Sequence, residues 1–203
     1  MLSKLRNHLP LKLSDTMTNK NIEKLITQLL IKLGEDPTRE GLKKTPQRVA
    51  KMYGEITNGY RMSRKDTIND AIYEEKVHNM IILRDIELYS LCEHHLLPFF
   101  GKCHIGYIPG KHIIGVSKIA RIVDRFAKRL QIQERLTQEI AKELKDVLAP
   151  FGVGVIIEAQ HLCMMMRGVE KQNSVMITSS VLGSFREDQK TREEFFSIVN
   201  KTQ

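Results

Sequence analysis

Between Met80 and Leu182 the chain passes from β-type runs to helical spacing and back, and that order limits its fold more than any single residue does. Met80 to Leu91 is rich in Ile, Leu and Tyr and reads as a strand, with Phe99 to Ile108 as its antiparallel return, closed by Pro109-Gly110. Ile113, Ile114 and Val116 lead into Ser117, the expected cap of a helix with Ile119, Ile122, Val123, Phe126 and Leu130 on one face. A second helix opens at Gln133 and Glu134, runs through Leu136, Ile140, Leu144, Val147 and Leu148, and breaks at Pro150. Gly152 to Cys163 and Ser174 to Leu182 then return to β-branched, strand-like composition. Strand, strand, helix, helix, strand, strand predicts an α+β fold in which helices cover one face of an antiparallel sheet.

The flanks are helical. Ile22, Leu25, Ile26, Leu29, Leu30 and Leu33 recur at helical spacing, with Thr18 or Asn19 as N-cap and Gly34 as the stop. After a turn at Asp36-Pro37, Thr45 caps and Pro46 opens a helix through Val49, Met52, Tyr53 and Ile56 to Gly59. Arg61 to Asp70 is polar and turn-like and reads as a seam, while Thr191 to Val199 is a closing helix with Phe195, Phe196 and Val199 on its apolar side. Residues 1–17 show no sustained periodicity and are expected to form a mobile arm. The expected organisation is therefore an arm over 1–17, a helical region over 18–70 and an α+β domain over 71–203.

With 203 residues, 41% of them hydrophobic, the chain has enough material for a substantial core. No run approaches the roughly 18 apolar residues that cross a bilayer, and no apolar segment with a small-residue cleavage site opens the sequence. A soluble, cytoplasmic protein without a membrane partner is expected; the basic, acid-poor N-terminus also suits a transit peptide but carries little Arg or Ser. Three cysteines, Cys92, Cys103 and Cys163, fit metal ligands or free thiols better than a disulfide framework. A formal charge of +8 points to anionic partners, and the placement of the charges decides which.

The chemistry concentrates in Leu91-Cys92-Glu93-His94-His95-Leu96-Leu97-Pro98, where four consecutive residues can bind a metal or move a proton. Cys92 and His95 have the spacing that aims both side chains at one ion, although an isolated Cys-x-x-His is more often a turn with a buried thiol. A third ligand decides between these readings. Gln160-His161-Leu162-Cys163 supplies it: on a strand His161 and Cys163 point the same way, so Cys163 can join Cys92 and His95 while His161 stands beside the metal as a proton donor or acceptor. Three protein ligands leave a position for water, the arrangement of a catalytic rather than structural zinc. Cys103 and His104 are further candidates of which a strand can direct one at most to the cluster. Met164, Met165 and Met166 read as packing.

Ser117, Lys118 and Arg121 lie in the first turn of the helix expected after Ile114, where unpaired N–H groups already favour an anion, and together they read as a phosphate clamp or as part of a solvated basic face. Arg48 and Lys51 share a face of their helix and admit the same two readings.

In four separated blocks the sequence resembles the GTP cyclohydrolase I family: Leu91-Cys-Glu-His-His95, Ile114-Gly-Val-Ser-Lys-Ile119, Gln131-Ile-Gln-Glu-Arg-Leu-Thr137 and His161-Leu-Cys-Met-Met-Met-Arg-Gly168. The likeness runs on through Ser184-Phe-Arg-Glu-Asp188 and back to Lys44 to Met52, covering the chain from about Asn19. It implies one Zn²⁺ per subunit on Cys92, His95 and Cys163, an acid/base pair in His94 and His161, and Gln133 and Glu134 at the guanine edge. Ser117, Lys118, Arg121 and Arg167, with Arg48 and Lys51, fall to the ribose and triphosphate, Ser117 also taking part in later proton transfers, and Cys103 and His104 become structural. The implied reaction opens the GTP imidazole ring, releases formate and forms 7,8-dihydroneopterin triphosphate. The implied architecture is the tunnelling fold with an N-terminal helical extension, assembled into a multi-subunit β-barrel as a decamer of two stacked pentamers. A zinc-containing nucleic-acid module is disfavoured by the lack of four-ligand finger spacing, and another tunnelling-fold enzyme, such as a nitrile reductase with a cysteine nucleophile, would not need this ligand set.

Overall fold

The computed structural model describes residues 15–200, so the N-terminal arm expected over 1–17 lies almost wholly outside the described residues. The chain divides into two compact units, Met1–Tyr60 and Arg61–Gln203. In the first, α1 (Asp15–Lys32) packs on α2 (Thr45–Ile56). α1 stops at Gly34, whose φ of +87° is open to glycine without strain; Glu35 N donates to Leu30 O and Gly34 N to Ile31 O, closing the orphan carbonyls of the last turn. Thr45 is the first helical residue of α2 and not its cap: Lys44 holds the cap position without a side-chain bond, since its ammonium has no acceptor to offer, and the Thr45 hydroxyl turns back toward Gly41 O at 3.5 Å.

The second unit opens with a helix in the expected seam. α3 (Arg64–Ile68) is capped by Ser63, which accepts from Asp66 N, and buries Thr67 and Ile68. Its five residues are too few to show a helical period in sequence. Two three-residue strands, β1 (Ile72–Glu74) and β4 (His112–Ile114), form a small antiparallel pair. The main sheet contains β2 (Ile81–Cys92), β3 (Pro98–Ile108), β5 (Leu130–Gln131), β6 (Gly152–His161) and β7 (Met176–Gly183) in the order β5-β2-β3-β6-β7, all antiparallel except β5 with β2.

α4 (Val116–Ala127) and α5 (Gln133–Leu148) lie on one face of this sheet. Leu88, Phe99, Cys103, Ile105, Val155 and Ile157 meet Ile122, Val123, Leu136, Ile140 and Leu144 there in one continuous core. α4 is capped by Gly115, and it ends at Ala127 because Leu130 and Gln131 are drawn into pairing with Leu91 and Cys92. Gln131 Nε2 then donates to Phe126 O, one of the carbonyls the helix leaves open. β6 stops at His161, and Cys163 sits on a helical turn, α6 (Leu162–Met165). The strand alternation expected to aim His161 and Cys163 the same way therefore does not reach Cys163.

The opposite face carries a smaller cluster at one end, where α7 (Ser184–Glu187) and α8 (Gln189–Asn200) deliver Phe185 and Phe195 onto the sheet. Their rings meet edge to face at 5.3 Å and occupy the space that side chains at Gly106 and Gly154 would fill. A Cβ at Gly154 would stand 2.8 Å from atoms of both rings, so Gly154→Ala is expected to cost about 1–3 kcal/mol through overpacking. Urea unfolding should show a lower midpoint at unchanged slope.

Candidate metal centre

The turn from β2 to β3 holds the first ligands. Leu96 N donates to Cys92 O at 2.8 Å and Cys92 N to Leu97 O at 2.9 Å, with Leu96 at φ +55°, so the turn closes on itself. Glu93 N donates to Gln131 O at 3.0 Å, which ties the same turn to β5. Cys92 is buried at the strand end, while His94 and His95 are exposed with Nδ1 atoms 3.8 and 4.0 Å from Cys92 Sγ. Cys163 comes in from α6, and the ligand atoms of Cys92, His95 and Cys163 all lie within 4.8 Å of one another.

Two thiols and an imidazole at that separation suit a tetrahedral N/S-loving ion. Zinc–sulfur and zinc–nitrogen bonds of about 2.3 and 2.0 Å set neighbouring ligands roughly 3.5–3.8 Å apart, so a small contraction of the group completes the fit. Burial and the adjacent Cys92 push the Cys163 thiol above its ordinary value, a cost that a bound cation removes. Cys103 and His104 stay outside the group. Cys103 is fully buried in the helix-side core, and His104 faces the other way, its Nδ1 accepting from Asp85 N at 3.2 Å.

His161 stands next to this group at the end of β6, stacked on Phe99 with ring centroids 4.7 Å apart and planes 6° from parallel. Its Nε2 lies 2.8 Å from Gln133 Oε1. Burial holds its pKa below the ordinary histidine value, and the Glu134 carboxylate opposes that shift. Glu134 itself is exposed in the first turn of α5. Gln133 is not: it is 1% exposed and turned into the protein. Arg167, exposed beyond α6, places Nη1 3.2 Å from His95 Nε2.

Ser117, Lys118 and Arg121 are elsewhere. The C-terminal end of α4 adjoins the ligands, since Leu130 and Gln131 pair with Leu91 and Cys92. Ser117 and Lys118 begin the helix, about 15 and 13 Å from Ala127 along its axis, with Arg121 between. Arg48 and Lys51 belong to the first compact unit, where they line a shallow hollow with Asn19, Glu23 and Gln47, and Lys51 lies 3.8 Å from Glu55.

One residue of the site escaped the sequence reading. Arg135 reaches from α5 to the Glu93 carboxylate and donates through Nε to Gln131 Oε1 at 2.9 Å, and this contact holds the Glu93 pKa below its usual range. The four-residue spacing of Gln131 and Arg135 was the available signal.

A family profile described as GTP cyclohydrolase I matches residues 22–200. The chain belongs to the GTP cyclohydrolase I family. A GTP cyclohydrolase 1 of Leptospira biflexa is 58% identical over 178 residues, covering 88% of this chain and 97% of the relative. The GTP cyclohydrolase 1 proteins of Coxiella burnetii and Methylococcus capsulatus are 57% and 55% identical, covering 87% and 89% of this chain and 96% and 97% of theirs. In this member of the family, replacing Arg135 by Ala is expected to free the Glu93–His95 turn and weaken metal retention about 10–100-fold, measured by chelator competition, with the unfolding midpoint little changed.

Proposed function

We propose that this chain is a zinc-dependent GTP cyclohydrolase I, which opens the imidazole ring of GTP, releases C8 as formate and forms 7,8-dihydroneopterin triphosphate, the first step toward tetrahydrofolate and other pterins. The observation that carries this reading is the meeting of Cys92, His95 and Cys163 within 4.8 Å, beside His161 and Glu134, in a chain of this family. Bound at those three residues, zinc would supply an activated water at neutral pH.

The residues divide the remaining work. Glu134 accepts from guanine N1–H and the exocyclic amine, a pair of donors that matches a carboxylate. His161 and His94 deliver and collect protons, first at N7 as the imidazole ring opens. Phe99, flat against His161, keeps one face of that imidazole from water. Arg167 offers a planar fork of donors to phosphate, and Ser117, Lys118, Arg121, Arg48 and Lys51 surround the ribose and triphosphate. Ser117 also takes part in the proton transfers of ribose rearrangement.

The distance between the start of α4 and the metal ligands supports a site built by more than one subunit, in which a neighbour's Ser117, Lys118 and Arg121 face this chain's zinc. The sheet ends support the same reading. β5 pairs with only two residues of β2, and β7 is the other edge, so both sides of the sheet offer backbone to a neighbour. We therefore assign the tunnelling fold, residues 71–203 as its catalytic region with 18–70 as the helical extension, a multi-subunit β-barrel and a homodecamer of two stacked pentamers. We place the enzyme in the cytoplasm; among the described residues no helix is long and apolar enough to cross a membrane.

GTP incubated with the purified protein should yield formate and dihydroneopterin triphosphate together, both lost on chelation and both recovered with zinc. Intact GTP with zinc-loaded, assembled protein would overturn the assignment. Cys163→Ser and Lys118→Ala proteins should each be inactive alone, and dissociating and reassembling them together should recover activity from mixed sites; no recovery would place the whole site in one subunit.

A further inference from the structure

Gln133 was expected to contact the guanine edge, yet each polar atom of its side chain already has a partner inside the protein. Its Nε2 has two N–H groups facing three acceptors, Ile157 O at 3.0 Å, Met176 O at 2.8 Å and Thr178 Oγ1 at 3.1 Å, so one N–H is shared between two of them. Two of those partners are backbone carbonyls, which only accept, so the amide has one admissible orientation. Its oxygen is then the atom 2.8 Å from His161 Nε2. A carbonyl oxygen cannot donate, and the proton in that bond belongs to the histidine.

Thr178 contacts the amide directly, and Thr137, whose own proton goes to the main-chain carbonyl of Gln133, orients Thr178. Thr137 Oγ1 donates to Gln133 O at 2.7 Å, one helical turn back along α5. With its proton committed, Thr137 accepts from Thr178 Oγ1, also 2.7 Å away. Thr178 in turn directs a lone pair at Gln133 Nε2, so every bond in the chain has one direction. The stack of His161 on Phe99 permits a half-turn of the imidazole, but that turn would bring a carbon to Gln133 Oε1 in place of Nε2.

We infer that Gln133, held by Thr178 and Thr137, fixes His161 as the tautomer protonated on Nε2, so that Nδ1 is the atom at which His161 takes up and returns a proton. Gln133 and Thr178 are positioning residues, and the guanine edge falls to Glu134 without the Gln133 side chain. The inference rests on the acid/base role proposed for His161, and it adds which of the two ring nitrogens performs it.

The test uses the whole zinc-loaded assembly labelled with [¹⁵N]histidine and observed by solid-state NMR, with the His161 signals identified by their loss in His161→Asn. Nε2 should be of the protonated type and Nδ1 of the unprotonated type at neutral pH; the reverse assignment overturns the inference. This readout needs no turnover, so it stays distinct from a failure of the wild-type protein to act on GTP. In kinetics, Thr178→Val should lower kcat about tenfold with KM for GTP and bound zinc unchanged, and Thr178→Ser should restore it to within about twofold. A raised KM at unchanged kcat would mean that Gln133 acts on the purine, and the inference would fall. Should Thr178→Val not assemble, the wild-type spectrum decides alone.

Discussion

The pairing of β2 with β3 is the constraint on which the site depends. The register Leu91↔Pro98 leaves only Glu93 to Leu97 to reverse the chain beyond Cys92, and two backbone bonds within that turn fix its path. Four ionisable side chains are thereby confined to one end of the sheet with little freedom of their own. β6 brings His161 to the same end through its pairing with Phe99, and β5 carries the chain from α4 into α5 beside them. A one-residue slip in β3 against β6 would turn His161 from the helix-side face to the other. The continuous apolar row Phe99, Cys103, Ile105 and Tyr107 makes such a slip expensive, so core packing and site geometry are one problem.

Charge is used sparingly inside that core, and where it occurs it connects elements. Glu143 on α5 is 6% exposed and receives Arg125 from α4 at 2.9 Å and Arg64 from α3 at 2.8 Å. An isolated carboxylate in that position would be strongly disfavoured, whereas one with two guanidinium partners recovers most of its desolvation cost and specifies how three helices meet. The basic face of α4 is therefore not uniform: Arg125 belongs to the interior, while Arg121 is exposed and Lys118 half-buried.

Much of this was legible in sequence because it rests on local chemistry. Helical spacing identified α1, α2, α4 and α5, and the runs at Met80, Phe99, Gly152 and Ser174 became β2, β3, β6 and β7, each with ends shifted by a few residues. The elements that escaped are short or depend on distant partners. α3 and the β1–β4 pair have too few residues for a period, and β5 exists only because Cys92 and Leu91 offer it backbone. The ligand spacing predicted that Cys92, His95 and Cys163 could converge, but it placed Cys163 on a strand when a helical turn carries it. Thr178 left no mark in the sequence at all. Its importance comes from facing Thr137 and Gln133 across the helix–sheet contact, and no linear pattern encodes that.

The same distinction separates the substrate contact that the family likeness implies for Gln133 from the supporting role inferred from its hydrogen bonds. Likeness says that a residue accompanies a function, and it is silent on the path by which the residue acts. Hydrogen-bond direction supplies the missing part. A side chain that is 1% exposed, with its nitrogen facing backbone carbonyls, has no donor left for a guanine and no means of turning its oxygen outward. Its neighbour Glu134, one residue further along α5, has the opposite situation: exposed, acidic and at a helix N-terminus. Adjacent residues on the first turn of α5 thus face in different directions, Gln133 inward to His161 and Glu134 outward. The helix start converts a rotation of about 100° per residue into those two orientations.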